Sequence, residues 1–319
     1  MRYRIILIVS FLFYSYAALV PRANAGIDNK RSQVERTMGA DPRAMISICL
    51  ISGSLTIQGW DRNEVQVRAN DAPPVELRRL DQTGRERATE VRLVTQNESV
   101  RGRSCVAFGN IVLKAPRQAN LTVETSDAEI KVLNAANVVA RSQAGSVSLD
   151  RVRGQIDANT IGGDLSVDNS EGMIGLHTVS GSIRASNLKP AETEDRFEAT
   201  AVSGDITLER VAHQDLRAKT VEGSISYSGA LVKNGRYSFQ SISGRVNLSL
   251  PPDVSFRISG TVGRGSDFVS DFPLQTSVAE PAEVPRKAIG FRHVHGIVGG
   301  GDASVVVSCF SGGVHLRKQ

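Results

Sequence analysis

The sequence predicts an all-β fold, a single-stranded parallel β-helix or β-solenoid with capping copies at its N- and C-terminal ends. Three observations predict it. A short phrase with a Ser-Gly-like pair recurs every 17 to 23 residues between residues 121 and 248. Apolar and polar residues alternate on both sides of that pair, and the alternation changes phase at a glycine. Repeats of this length, each burying its apolar face only against its neighbours, are typical of solenoids.

The chain opens with a predicted secretory signal peptide, residues 1–25. Arg2 and Arg4 give it a basic start, residues 5–20 are largely apolar, and an Ala-Asn-Ala run is typical of a cleavage site. An uncleaved membrane anchor is the alternative, although 16 apolar-rich residues are short for a span. We therefore expect an exported protein of the periplasm, the cell envelope or the extracellular space, without a transmembrane span after signal removal.

The charge of the chain does not indicate a nucleic-acid partner. The formal net charge is +5, and residues 1–25 contain three arginines and no acidic residue, so the charge after their removal is +5 − 3 = +2. Aromatic residues make up 5% of the sequence, and no basic cluster is interleaved with them. Nucleic-acid interfaces need basic patches, so we expect no nucleic-acid partner.

The remaining chain divides into three predicted parts. Residues 26–115 form an N-terminal β cap with a charged excursion at residues 71–104, which is typical of an exposed hairpin. Residues 116–250 hold the solenoid repeats, and residues 251–319 hold strands, a loop and a closing repeat. We expect the first and last copies of the phrase to protect the two ends of the stack from edge pairing.

Each repeat turns at one small residue, which we call the anchor. Glycine tolerates the backbone angles of a bend or bulge. The predicted structural corner glycines are Gly53, Gly145, Gly163, Gly181, Gly204, Gly223, Gly244 and Gly312. Ala128 holds this position in the first repeat of the main array. Ser or Thr recurs three residues before the anchor, and in register these hydroxyls are expected to form a ladder: Thr125, Ser142, Thr160, Thr178, Thr220 and Ser241.

Several motifs in a fixed order resemble a known family. They are ISGSLTI at 51–57 with GWD at 59–61, SGSI at 180–183, SGDI at 203–206, and SGGV at 311–314. This combination resembles the bacterial putative adhesin family, a domain of unknown function, and the resemblance covers nearly all of the chain after residue 25. It implies a β-solenoid and an envelope or surface protein, and it brings no established catalytic residues. Ala128 and the three cysteines depart from the family's pattern.

The three cysteines are Cys49, Cys105 and Cys309. In an exported chain one disulfide is expected to persist. Cys49 belongs to the first copy of the phrase and Cys309 to the last, so stacking at about 4.8 Å per coil would separate them by several nanometres. Cys49 with Cys105 is therefore the predicted pair, and three buried or free thiols are the alternative.

A pair of carboxylates is the only candidate for catalysis that the sequence offers. Asp157 and Glu198 stand six residues before their anchors, two rungs apart across Gly175, or about 9 to 10 Å. This approaches the carboxylate separation of inverting glycosidases. A solvated sheet face explains the same residues. Neighbouring outward side chains complete a polar face that is a candidate binding surface: Asn159, His177, Arg217 and Lys219.

The main hypothesis is a non-enzymatic, exported binding, adhesion or scaffold module whose partner is a glycan or an envelope protein. The alternative is a polysaccharide-active β-helix enzyme, a glycoside hydrolase or lyase-like protein, which would use Asp157 and Glu198. A third possibility is a structural or regulatory envelope part without a glycan ligand. His293 and His295 could share one strand face, but no third ligand is evident, so we expect neither a metal nor a cofactor.

Overall fold

The structure, a computed structural model, describes residues 34–82, 84, 86–95, 105–192, 195–263, 265–274 and 291–319. The predicted signal peptide at residues 1–25 lies outside the described residues. So do residues 96–104 of the charged excursion and residues 275–286 of the predicted C-terminal loop. No helix long and apolar enough to cross a bilayer occurs in the part of the chain that is described.

The described residues form 21 strands and no helix. The strands are β1 (Val34–Trp60), β2 (Glu64–Asn70), β3 (Val75–Arg79), β4 (Ala88–Thr95), β5 (Val106–Pro116), β6 (Asn120–Leu133), β7 (Val138–Ser142), β8 (Val147–Asp150), β9 (Ile156–Thr160), β10 (Leu165–Asp168), β11 (Ile174–Ser180), β12 (Ile183–Leu188), β13 (Arg196–Ser203), β14 (Ile206–Val211), β15 (Asp215–Glu222), β16 (Ile225–Ser228), β17 (Arg236–Leu250), β18 (Phe256–Gly263), β19 (Asp267–Ser270), β20 (Phe291–Val298) and β21 (Ala303–Lys318).

Two parallel faces enclose the core of the solenoid. The odd strands β7 to β15 stack in register on the first face, the even strands β8 to β16 stack on the second, and β6 and β17 run through both. The inward residues seven before the anchor form one buried row: Leu121, Val138, Ile156, Ile174, Phe197, Leu216 and Tyr237. Those two after the anchor form another: Ile130, Val147, Leu165, Ile183, Ile206, Ile225 and Val246. The predicted all-β parallel solenoid is confirmed.

The anchor corner is the place where successive rungs come closest. A Cβ atom added at Gly163 would overlap the carbonyl oxygen of Gly145, and one at Gly181 would overlap that of Gly163. The hydroxyls three residues before the anchors are buried, but they bond to this backbone rather than to one another. Thr160 Oγ1 accepts a hydrogen bond from the Gly163 amide at 3.0 Å, for example. Their expected ladder is therefore a row of side-chain-to-backbone bonds.

A second corner returns the chain from one face to the other, and the sequence gives little signal for it. Its residues adopt left-handed angles without being glycine: Asn134, Arg151, Asn169, Asn187 and Arg210, with φ between 50° and 55°. Asn tolerates this region because its side chain bonds locally. The side chains also connect successive rungs, since Arg151 Nε donates to Asn134 Oδ1 at 2.9 Å and Asn187 Nδ2 donates to Asn169 Oδ1 at 3.2 Å.

The N-terminal end is closed by more strands than the first copy alone. One edge of β1 pairs with β6, and the other edge pairs with β4 and β5. The predicted exposed excursion contains a β3–β4 hairpin whose Val75, Val91 and Leu93 side chains are fully buried, so this hairpin packs against the core instead of standing in solvent. Cys49 and Cys105 form a disulfide with a Cα–Cα distance of 4.5 Å, which joins β1 to the start of β5.

The C-terminal copy of the phrase is not the last rung in space. Strand β21 pairs in parallel with β17, aligning Gly312 with Gly244, and its other edge pairs with β18 and β19. Strand β20 then pairs antiparallel with β18. Strands β18 and β19 therefore form a rung outside β21, although they precede it in the sequence. Strand β21 then lies between this outer rung and β17. The division of the chain at residues 115 and 250 stays a prediction.

Candidate functional site

The predicted carboxylate face lies on the outside of the first sheet. Asp157 and Glu198 both pair with Gly175, so they occupy one outward row two rungs apart. Asp157 Oδ1 accepts a hydrogen bond from Asn159 Nδ2 at 2.7 Å, and Asp157 Oδ2 lies 3.9 Å from Arg141 Nη2. The pair is thus placed as the register predicts, with one member already held by its neighbours.

The predicted binding-face residues lie in two outward rows of the same sheet. Asn159, His177 and Lys219 are in the row next to the carboxylates, and Arg217 is in the row of Glu198. His177 pairs with Asn159 on one side and with Thr200 on the other, and Lys219 pairs with Thr200. Arg217 stands beside Glu198 in register, but its Nε donates to Asp215 Oδ1 at 3.3 Å. These side chains share an open sheet surface, and neither of the two clefts described below includes Asp157 or Glu198.

A groove of about 460 Å³ lies on the second sheet, and sequence reasoning missed it. Positions three and five after the anchor point outward there. In three successive rungs these positions carry short polar side chains, except for Glu209, and the short side chains leave open space. The groove is lined by Thr207, Glu209, Ser226, Ser228, Asn247 and Ser249, with Arg245 and Arg317. Reading the outward positions as rows, instead of one residue at a time, is the signal that could have found it.

The groove offers two cations and one carboxylate. Glu209 Oε2 lies 3.8 Å from Arg210 Nη2, which is outside the lining. His315 pairs with Asn247 in register, and burial lowers its pKa, with the positive charges of Arg245 and Arg317 lowering it further. The negative charge of Asp267 acts on this pKa in the opposite direction. Gln319 Nε2 donates to Ser228 Oγ at 2.8 Å, which shows that these hydroxyls accept hydrogen bonds from an amide.

This lining suits binding better than turnover. Hydroxyl, amide and guanidinium groups are hydrogen-bonding partners for a hydroxylated ligand. Glycoside hydrolysis uses two carboxyl groups on opposite sides of the bond, and Glu209 is the one carboxylate among the described lining residues. Among the described residues, no three His, Cys, Asp or Glu side chains are grouped to hold a metal ion.

A row of exposed apolar side chains runs along the anchor corner from rung to rung. Each member stands two residues before the anchor of its rung. The members include Ile161, Val179, Val202, Ile242 and Phe310, all more than two-fifths exposed. Contiguous exposed apolar side chains of this kind are found at interaction surfaces of soluble proteins.

Residues 44–281 match the Toastrack DUF4097 family. This chain belongs to that family. The match spans about three quarters of the sequence and confirms the resemblance that the Ser-Gly-x-Ile repeats indicate. The solenoid with its glycine anchors is therefore the Toastrack fold of this chain. No curated protein matches the sequence.

Several solved structures show a distant likeness to this Toastrack chain. A putative adhesin from Parabacteroides merdae is 11% identical, with a TM-score of 0.45, over 70% of this chain and 90% of that one. A putative adhesin from Bacteroides fragilis is 11% identical, with a TM-score of 0.42, over 89% and 96%. One from Parabacteroides distasonis is 12% identical, with a TM-score of 0.36, over 90% and 98%.

Proposed function

We propose that this Toastrack protein is an exported, non-enzymatic binding module of the cell envelope or surface, and that it holds a glycan in the groove of the second sheet. The observation that carries this proposal is the lining of the groove: hydroxyls and an amide on three successive rungs, with Arg245 and Arg317 on the last two rungs at its C-terminal side. A sugar presents hydroxyl groups that both donate and accept hydrogen bonds, and these side chains match that chemistry.

The expected affinity is modest at one site. Each neutral hydrogen bond contributes about 0.5–1.5 kcal/mol net, because the same groups bond to water before binding. Two features raise the affinity for the ligand despite these small contributions. The sheet face is rigid, so little ordering is needed on binding. A polymeric glycan can also engage several molecules at once, which raises the apparent affinity without new contacts.

The test is to incubate the purified exported chain with immobilised envelope and plant-type polysaccharides, recording retention and product formation together. We expect retention without products. Replacing Arg245 and Arg317 by Ala should reduce retention, whereas Arg184→Ala should not, because Arg184 is an exposed arginine of the same sheet outside the groove. Retention that survives loss of both groove arginines would contradict the proposal.

The same assay tests the alternative of a polysaccharide-active enzyme, which is supported by Asp157 and Glu198 sharing one row. Product formation that disappears in Asp157→Asn and Glu198→Gln, with the fold intact, would favour the enzyme. Neither retention nor products would direct the search to an envelope protein, for which the exposed apolar row at the anchor corner is the first surface to change.

A further inference from the structure

A second cleft, which we call the arginine cleft, lies near the N-terminal end of the stack. Its volume is about 340 Å³. Three turns of the chain converge on it: the turn after β5, the turn after β6 and the turn after β8. They contribute Arg117 and Gln118, Asn134 and Ala135, and Arg151 and Arg153. The cleft is thus built on different rungs from the groove, and it lies at turns of the chain instead of on the face of the second sheet.

The cleft is lined by cations and amides. Among the described residues that line it, three are arginines and none is acidic. Each guanidinium has a carboxylate partner outside the lining. Arg117 Nη2 lies 3.1 Å from Asp61 Oδ2, Arg151 Nη2 lies 2.9 Å from Asp150 Oδ2, and Arg153 Nε lies 3.5 Å from Glu171 Oε1.

These partners leave donors available for a ligand. A guanidinium carries five N–H groups, and one carboxylate uses at most two of them in a bidentate pair. Arg151 also donates from Nε to Asn134 Oδ1, which occupies the amide oxygen and leaves the amide nitrogen as a donor. All three arginine side chains are at least half exposed. Their remaining N–H groups therefore reach solvent, and an anion can replace water as their hydrogen-bond acceptor.

The backbone holds the three turns in place. The Asn134 amide donates to the Asp150 carbonyl at 3.0 Å, and the Arg153 amide donates to the Ala135 carbonyl at 2.9 Å. Gly59 of β1 permits the close approach of the turn after β6, because a Cβ atom at Gly59 would overlap the Asn134 carbonyl oxygen. The arginines therefore project from a fixed frame, which limits the conformational cost of binding.

We propose that the arginine cleft binds an anionic saccharide, one that carries a phosphate or a carboxylate group. Arginine matches both groups because its planar fork forms paired hydrogen bonds to two oxygen atoms. The volume reaches the lower range of small-molecule sites, so the sugar that bears the charge fits with it. The proposal stands apart from the groove of the second sheet, and either site can exist without the other.

Calorimetric titration of the exported chain with glucose 6-phosphate, trigalacturonate and neutral maltotriose tests this proposal. At least one of the two acidic ligands should bind, maltotriose should not bind at the cleft, and the affinity should fall as salt is raised. Which acidic ligand binds identifies the source of the charge. Trp60 gives a second readout, because it is the only tryptophan of the chain and its carbonyl accepts from the Arg117 amide at 3.1 Å.

Variants separate the arginine cleft from other basic surfaces. Arg151→Asn keeps a residue type that neighbouring rungs use with the same left-handed angles, and Arg153→Gln keeps a polar side chain that donates hydrogen bonds but removes the charge. Each should weaken binding of the acidic ligand at least about tenfold, with an unchanged melting temperature as evidence of folding. Arg210→Asn is the matched control, since Arg210 lies at the same corner outside the cleft.

Three results would overturn the proposal. One is that neither acidic ligand binds. Another is that Arg210→Asn weakens binding as much as Arg151→Asn does, which would show a diffuse charge effect. The last is that binding survives Arg151→Asn and Arg153→Gln but is lost when Arg245 and Arg317 are replaced by Ala. That result would assign the anion to the groove. Failure of the groove to retain neutral glycans would contradict the proposed function and leave the proposal for the arginine cleft unaffected.

Discussion

The thiol of Cys309 lies 3.2 Å from the carbonyl oxygen of Gly244, the anchor of the preceding rung. One rung earlier, Ser241 Oγ donates to the Gly223 carbonyl at 2.9 Å, and two rungs earlier, Thr220 Oγ1 donates to the Gly204 carbonyl at 3.0 Å. Cys309 is therefore the sulfur member of the row of buried donors along the anchor corner. Burial raises its pKa, so the thiol stays protonated and serves as a donor.

Replacing a donor of this row by an apolar residue of similar shape should destabilise the fold. In Thr220→Val the Gly204 carbonyl loses its side-chain partner in a buried place, and we expect the free energy of unfolding to fall by about 1–3 kcal/mol. Cys309→Ser, which keeps a donor, should change it by less than about 1.5 kcal/mol. Urea denaturation measures both, and an equal loss in the two variants would contradict the role of the donor.

A side chain at an anchor should separate two rungs. In Gly163→Ala the new Cβ atom would overlap the Gly145 carbonyl oxygen, which is backbone and cannot rotate away. We expect a loss of at least about 2 kcal/mol in the free energy of unfolding. Gly39→Ala is the control, because no atom lies within 4 Å of its added Cβ. Thermal unfolding should show a lower midpoint for Gly163→Ala alone.

His213 should make stability depend on pH. Its side chain is fully buried, Nε2 lies 2.7 Å from the Gly172 carbonyl oxygen, and Nδ1 has no hydrogen-bond partner among the residues that the structure describes. Burial lowers the pKa of His213 below its usual value of 6.5, so the folded state keeps it neutral. The unfolded chain binds the extra proton below about pH 6.5, and the free energy of unfolding therefore falls as the pH decreases through that value.

The measurement is a series of urea midpoints between pH 8 and pH 5 for the native chain and for His213→Leu. The variant should be less stable at pH 8, because it loses the bond to Gly172, but its stability should decline less towards pH 5. The two proteins differ only at this residue, so the difference between their declines reports His213. Parallel declines would show that protonation of His213 does not oppose folding.

The disulfide should stabilise the N-terminal end of the stack. Cys49 and Cys105 are 56 residues apart in sequence, and closing a loop of this length contributes up to about 4 kcal/mol by restricting the unfolded chain. Replacing both cysteines by Ala should lower the unfolding midpoint, and dithiothreitol should lower it to a similar extent in the native chain. Cys309→Ser should keep the response to dithiothreitol, since Cys309 is a free, buried cysteine.

The sequence could predict the rungs because the repeat fixes the register. Gly175 aligns with Asp157 and Glu198 as soon as the anchors are aligned, and no tertiary information is needed. The order of the last rungs could not be predicted in this way. Strands β18 and β21 have the same alternation, so either could pair with the edge of β17, and only the packed structure selects β21.

The two clefts escaped prediction for a different reason. Each is a gap between side chains from three or more turns, and its shape depends on which outward residues are short. The second corner also has only a weak glycine signal. Gly229 holds it in one rung, whereas Asn or Arg holds it in five others, among them Arg151 and Arg210 with left-handed angles that arginine rarely shows. The arginine cleft depends on that corner, so its position was not visible from residue types alone.

The interior position of β21 has a consequence for synthesis. Translation delivers β18 and β19 before the 16 residues of β21 exist, yet in the folded protein both strands pair with β21. The solenoid can therefore propagate from its N-terminal rungs only as far as β17 while the chain emerges. The last two rungs can be completed only after β21 has been synthesised, so this end of the stack assembles later than the rungs before it.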